Sequence, residues 1–133
     1  MILDTFSAYL DFAIKSENSG LDFFAAREGK SDGRDAVAMR SFKAEAEKNI
    51  RLLRDTLREN VTELVMEPCA GIDDSGYLPQ ITESSCLACA LDIVGKQRDF
   101  LRAAAKAVNL KEVRRIFEKL ADKKDRLLLE FKQ

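Results

Sequence analysis

The chain has 133 residues, 46% of them apolar and 34% charged, and a formal net charge of −1. That length fits one domain with a usable core, and the balance excludes both a disordered chain and a membrane-spanning one. Lysine and arginine are interleaved with aspartate and glutamate, which excludes a basic nucleic-acid footprint, and the absence of histidine removes the commonest general base together with the commonest transition-metal ligand. No apolar run reaches bilayer length, and the opening MILDTFSAYLDF carries Asp4 and Asp11 in place of a basic leader segment. A cytoplasmic location is expected.

Residues from about Asp4 to Glu28 predict a first helix, with Phe6, Leu10, Ala13, Ile14, Leu21 and Phe24 recurring at helical spacing. Asp4 or Thr5 can cap its start, and Gly29 suits a left-handed residue at its end. Glu17 sits in the middle of that apolar stripe. The stretch from Gly29 to Asp35 is a short turn containing Asp32-Gly33, so the next helix is expected to run back beside the first. That second helix, about Ala36 to Asn60, carries the stripe Met39, Phe42, Ala46, Asn49, Ile50, Leu53 and Leu57. Lys43, Glu47, Lys48, Arg51, Arg54 and Arg58 form its solvated face.

Val61 to Pro68 reads equally as a helical extension or an extended strap. From Pro68 to Ser84 the chain has turn chemistry throughout, so 61–84 is expected to be a long crossover. A third helix, about Ser85 to Val108, follows caps offered by Thr82, Ser84 or Ser85, with Cys86, Ala90, Ile93, Val94, Gln97, Leu101, Ala104 and Val108 on its stripe. A fourth, about Lys111 to Phe131, carries Val113, Ile116, Phe117, Leu120, Lys124, Leu127, Leu128 and Phe131. Two helical hairpins, about 4–60 and 85–131, joined by one long crossover predict an all-α, ferritin-like antiparallel four-helix bundle spanning 1–133 as a single domain. The halves align without gaps, AIKSENSGLDFF with ALDIVGKQRDFL and SFKAEAEKNIRLL with IFEKLADKKDRLL, as a duplicated hairpin would.

With Ala13, Ile14, Glu17, Phe23 and Phe24 in the first helix, and YLPQITESSCLACAL leading into the third, the chain resembles a rubrerythrin-like member of the ferritin superfamily. The resemblance implies a di-iron site made from a carboxylate on each of two helices and a Glu-x-x-His pair on each of the others. Glu17 matches one carboxylate. The other ligand positions carry Asn49, Leu52, Val94, Lys124 and Leu127, so the implied metal site is degenerate. If Glu17, Asn49 and Lys124 converge, a buried Glu17–Lys124 ion pair with Asn49 hydrogen-bonded to one of them takes the place of iron. The alternative is that Lys124 reaches solvent and Glu17 lies on a rim.

Cys69, Cys86 and Cys89 are too few for a disulfide scaffold. Cys86 and Cys89 make a C-x-x-C at a helix start, where a thiol is activated, and with Cys69 they could offer three thiolates to zinc. The simpler reading puts Cys86 in the core with Cys89 beside it. Two function classes remain. The first is a non-catalytic interaction or structural protein without a cofactor, working as a homodimer or with another protein, with Leu128, Leu129 and Phe131 as contact candidates. The second is an oxidoreductase or a zinc- or iron-binding protein using the Cys86 and Cys89 thiols or a residual site at Glu17.

Overall fold

A computed structural model describes residues 1–59, 68–79 and 85–132. Four helices dominate it: α1 (Phe6–Glu28), α2 (Gly33–Glu59), α3 (Cys86–Ala107) and α4 (Lys111–Phe131). Two short strands accompany them, β1 (Ile2–Thr5) and β2 (Pro68–Asp73), with a 3-10 turn at Asp74–Tyr77. Val61 to Glu67 lies outside the described residues, as do Thr82 and Ser84.

Local chemistry sets the helix ends. Thr5, in extended conformation, accepts a hydrogen bond from the Ala8 amide at 3.1 Å, and Ser85 does the same for Ala88 at 3.1 Å. The expected left-handed Gly29 is instead right-handed at φ −74°, because the turn is completed four residues later. There Gly33 takes φ 60°, a conformation that disfavours any side chain. The turn folds α2 back along α1, and Val108 to Leu110 folds α4 back along α3.

The order of contacts fixes the directions. Along α1, Tyr9 meets Phe100, Ser16 meets Gln97, and a Cβ on Gly20 would meet Ile93, so α1 and α3 are antiparallel. Because each hairpin is itself antiparallel, α2 and α3 run parallel. Parallel neighbours cannot be joined by a tight turn, which is why the chain between them is long. This is the predicted four-helix arrangement with one crossover.

Between Pro68 and Tyr77 the crossover carries regular structure that its turn-rich composition does not predict. β2 lies in it and pairs antiparallel with β1, Leu3 opposite Ile72 and Ile2 opposite Asp73. The first helix accordingly begins at Phe6 rather than Asp4, since Ile2 to Thr5 are taken up by the strand.

Two apolar clusters fill the bundle. One holds Phe6, Tyr9, Leu10, Leu53, Phe100, Leu101, Phe117 and Leu120. The other holds Phe24, Met39, Phe42, Ile93, Val94, Leu128 and Phe131, with the Phe42 ring 5.3 Å from both Phe24 and Phe131. Leu128 and Phe131 are thus core residues and not a contact flank. Of the three candidates at that end only Leu129 is exposed, because it falls on the opposite side of α4.

Candidate functional site

Between the two apolar clusters the bundle has a polar waist. Each helix contributes to it from the middle of its apolar stripe: Glu17 from α1, Glu45 and Asn49 from α2, Gln97 from α3 and Lys124 from α4. Lys124 is the centre. Its Nζ is fully buried, 2.7 Å from Glu17 Oε1, 3.2 Å from Glu45 Oε1 and within hydrogen-bond reach of Gln97 Oε1 at 3.0 Å. An ammonium has three protons and no acceptor, so these three partners use its whole donor capacity. Lys124 therefore does not reach out to solvent.

The remaining groups hold those acceptors in place. Asn49 donates through Nδ2 to Glu45 Oε1, and to Glu17 Oε1 at 3.5 Å. Its Oδ1 accepts from Lys123 at 2.9 Å. Gln97 donates through Nε2 to the Ser16 carbonyl at 2.9 Å, which aims its Oε1 at Lys124. One buried atom is left over. Glu17 Oε2 has no hydrogen-bond partner among the described residues, and a cavity of about 10 Å³, bordered by Ser16, Gln97 and Phe100, lies beside Glu17.

The charges explain the titration behaviour. Burial, with the neighbouring Glu45, pushes the Glu17 carboxyl up against the opposing pull of Lys124. Burial alone would lower Lys124, but Glu17 and Glu45 more than offset it and its pKa is raised. Both directions follow from two carboxylates sharing one buried ammonium. The ammonium keeps its proton, and the surplus carboxyl is driven toward its neutral form.

The expected Glu17–Lys124 pair with Asn49 beside it is therefore present. Glu45 was not among the expected residues. It lies three residues after Phe42 and four before Asn49, on the core side of α2, and that spacing could have found it. The other expected positions are apolar in their surroundings as well as in kind. Val94 is fully buried in the second cluster, while Leu52 and Leu127 are half-buried against the first and second clusters.

This donor set does not suit a pair of irons. A divalent metal wants several anionic or imidazole ligands with nothing positive among them. Here both carboxylates are engaged by an ammonium that occupies the space between them. No group of three or more Asp, Glu, Cys or His side chains placed to hold a metal occurs among the described residues.

The cysteines lie apart from the waist and form no disulfide. Their expected roles in the core are reversed. Cys89 is buried at 4% exposure, while Cys86, in the first turn of α3, is half-buried with its Sγ 3.7 Å from the Ser31 hydroxyl. The reason is position along the helix and not angle: Cys86 shares the inner face with Ala90, Ile93 and Gln97 but is the first residue of α3, at the end of the bundle, whereas Cys89 lies nearly a turn further in. Cys69 is half-buried on β2.

No described helix is long and apolar enough to cross a membrane. Comparison with known proteins finds no match to a protein-family model, a curated protein or a solved structure. The class that fold and site define is a four-helix bundle with a buried ionic waist.

Proposed function

We propose that this chain is a non-catalytic bundle of rubrerythrin-like type, acting as an interaction or structural protein, in which a lysine replaces the metal. One observation carries this reading. The Lys124 ammonium is fully buried midway along the bundle, between carboxylates from α1 and α2 and a carboxamide from α3. Those helices would each supply ligands to a metal in the family the sequence resembles. An internal cation satisfies the same carboxylates without redox chemistry, and its charge opposes the binding of a second cation.

The test is metal content per chain in protein purified without added metal, together with melting curves in added Fe²⁺ or Zn²⁺. No stoichiometric metal and no metal-dependent rise in melting temperature are expected. Lys124→Glu places three carboxylates around one point, so it should unfold readily alone and gain stability from Mn²⁺ or Zn²⁺. Two irons per wild-type chain, or peroxide reduction by the iron-loaded protein, would overturn the proposal. Zinc at one per chain, lost on alkylation of the thiols, would move the function to Cys86 and Cys89.

A further inference from the structure

We propose that a trough between the outward face of α1 and the Asp74–Pro79 segment is a binding site for a small, uncharged, mainly aromatic molecule carrying one hydroxyl or carbonyl group. The site lies outside the ionic waist and does not depend on the function proposed above.

The argument begins with α1, which has two apolar faces. The inner one carries Phe6, Leu10, Ala13, Glu17 and Phe24. A second stripe, Phe12, Ser16, Ser19 and Phe23, recurs at intervals of four, three and four residues and so forms one line along the helix. Phenyl rings stand at its ends, about 16 Å apart by helical rise. Between them are only small side chains and the buried Gly20, so the middle of the line is a hollow. The opposite wall is Tyr77, Leu78 and Pro79, with Leu78 54% exposed at the rim. The trough, open on one side, has a volume of about 400 Å³, within the range of small-molecule sites.

The walls are held in place before anything binds. Phe12 lies 4.5 Å and Tyr77 5.5 Å from the Phe100 ring of the core. Phe23 packs edge-on to Phe24 at 6.0 Å and carries the Arg27 guanidinium 4.7 Å over its face. Fixed aromatic walls favour a flat ring, through offset and edge contacts, and lower the cost of ordering the site.

Charge then selects the ligand's state. Among the described residues two charged ones border the trough, and both are already engaged. Lys15 pairs with Asp11 at 3.0 Å, and Asp74 pairs with the N-terminal ammonium at 3.1 Å. An ionic ligand would have to compete with those pairs while losing its own hydration in an apolar trough. The Ser16 and Ser19 hydroxyls, by contrast, have no side-chain hydrogen-bond partner among the described residues. They can donate to a carbonyl or exchange hydrogen bonds with a hydroxyl.

The test is a fluorescence titration of the full chain at neutral pH with 2-naphthol, its carboxylate analogue 2-naphthoate and the 2-naphthylmethylammonium ion, whose alkyl amine stays protonated there. The chain has no tryptophan to interfere. Saturable binding of 2-naphthol at one per chain is expected, with both ions weaker. Ser19→Phe, an exposed site whose new ring fills the hollow, should weaken 2-naphthol by at least about tenfold without lowering the melting temperature. Should that variant melt early, aromatic NMR of the wild type decides: shifts confined to Phe12, Phe23 and Tyr77 support the site, and shifts elsewhere refute it. Absence of saturable binding, tighter binding of either ion, or unchanged binding by a stable Ser19→Phe variant overturns the proposal. So does a solution dimer that Ser19→Phe dissociates, since the occupant would then be a second copy of the chain.

Discussion

Replacing Lys124 by methionine removes the ammonium and keeps much of the side chain's volume. Nζ is lost from positions 2.7 Å from Glu17, 3.2 Å from Glu45 and 3.0 Å from Gln97, in a place with no solvent exposure. Two carboxylates then remain in the core, with the Asn49 amide as their shared donor. Breaking a buried pair from one side costs about 3–5 kcal/mol. With a urea dependence of about 2 kcal/mol per molar, the unfolding midpoint should fall by about 2 M. The pH dependence provides a second check. The Glu17 carboxyl is already raised by burial, and the variant removes the cation that opposes the rise. A group raised in the folded state contributes its stability at low pH and loses it as pH rises through the folded value. The deficit of Lys124→Met should therefore be large at about pH 8 and shrink at about pH 5. Urea unfolding followed by circular dichroism at both pH values measures this. A wild-type midpoint at both, or a deficit that grows on acidification, refutes the reasoning.

Glu17→Ala should cost about 3–5 kcal/mol in the same assay, whereas replacing Glu17 and Lys124 together by leucine should cost much less, because no charge is stranded. Equal losses in the two variants would mean that the pair is not coupled. Burial, with the nearby Cys69 and Asp4, pushes the Tyr9 phenol up to about 12. Its ordinary value is about 10, so the stability it lends is complete below about pH 10 and lost as pH rises toward the folded value. Tyr9→Phe should flatten the alkaline fall in stability over that window, and an unchanged profile would assign the fall to other groups. In native protein, alkylation followed by peptide mass mapping should label Cys86 before Cys89, which is 4% exposed within α3. Equal rates would mean that the first turn of α3 opens as a unit.

The fold was legible because each helix carries an apolar stripe of the right period, broken near its centre by one polar residue. Glu17, Asn49 and Lys124 stand out as interruptions of otherwise apolar faces. Glu45 did not, because Lys43, Glu47 and Lys48 surround it in the chain and make it look like part of a solvated face. Only its register with Phe42 and Asn49 separates it from them. The thiols show the same limit. Cys86 has the right helical angle for the core, but it is the first residue of α3, and how far the bundle covers that end is not written in the local pattern. β1 was illegible for a different reason. Ile2 to Thr5 are too few to show a period, and their partners lie at 68–73, so the cause of the strand is not local.

That strand pair also bears on the order in which the molecule assembles. β1 and β2 are separated by more than 60 residues of chain, and closing a flexible loop of that length costs about 4 kcal/mol in entropy. The cost changes once α1 and α2 have zipped together, because the end of α2 then lies beside the start of α1. Only the short connection between Glu59 and Pro68 remains to be closed, at about 2 kcal/mol. The two helical hairpins are local and fast to form, whereas the strand pair waits for the first of them. β1 and β2 thus act as a latch, set late in folding, that ties the start of the chain to the crossover and holds the second hairpin's approach in register with the first.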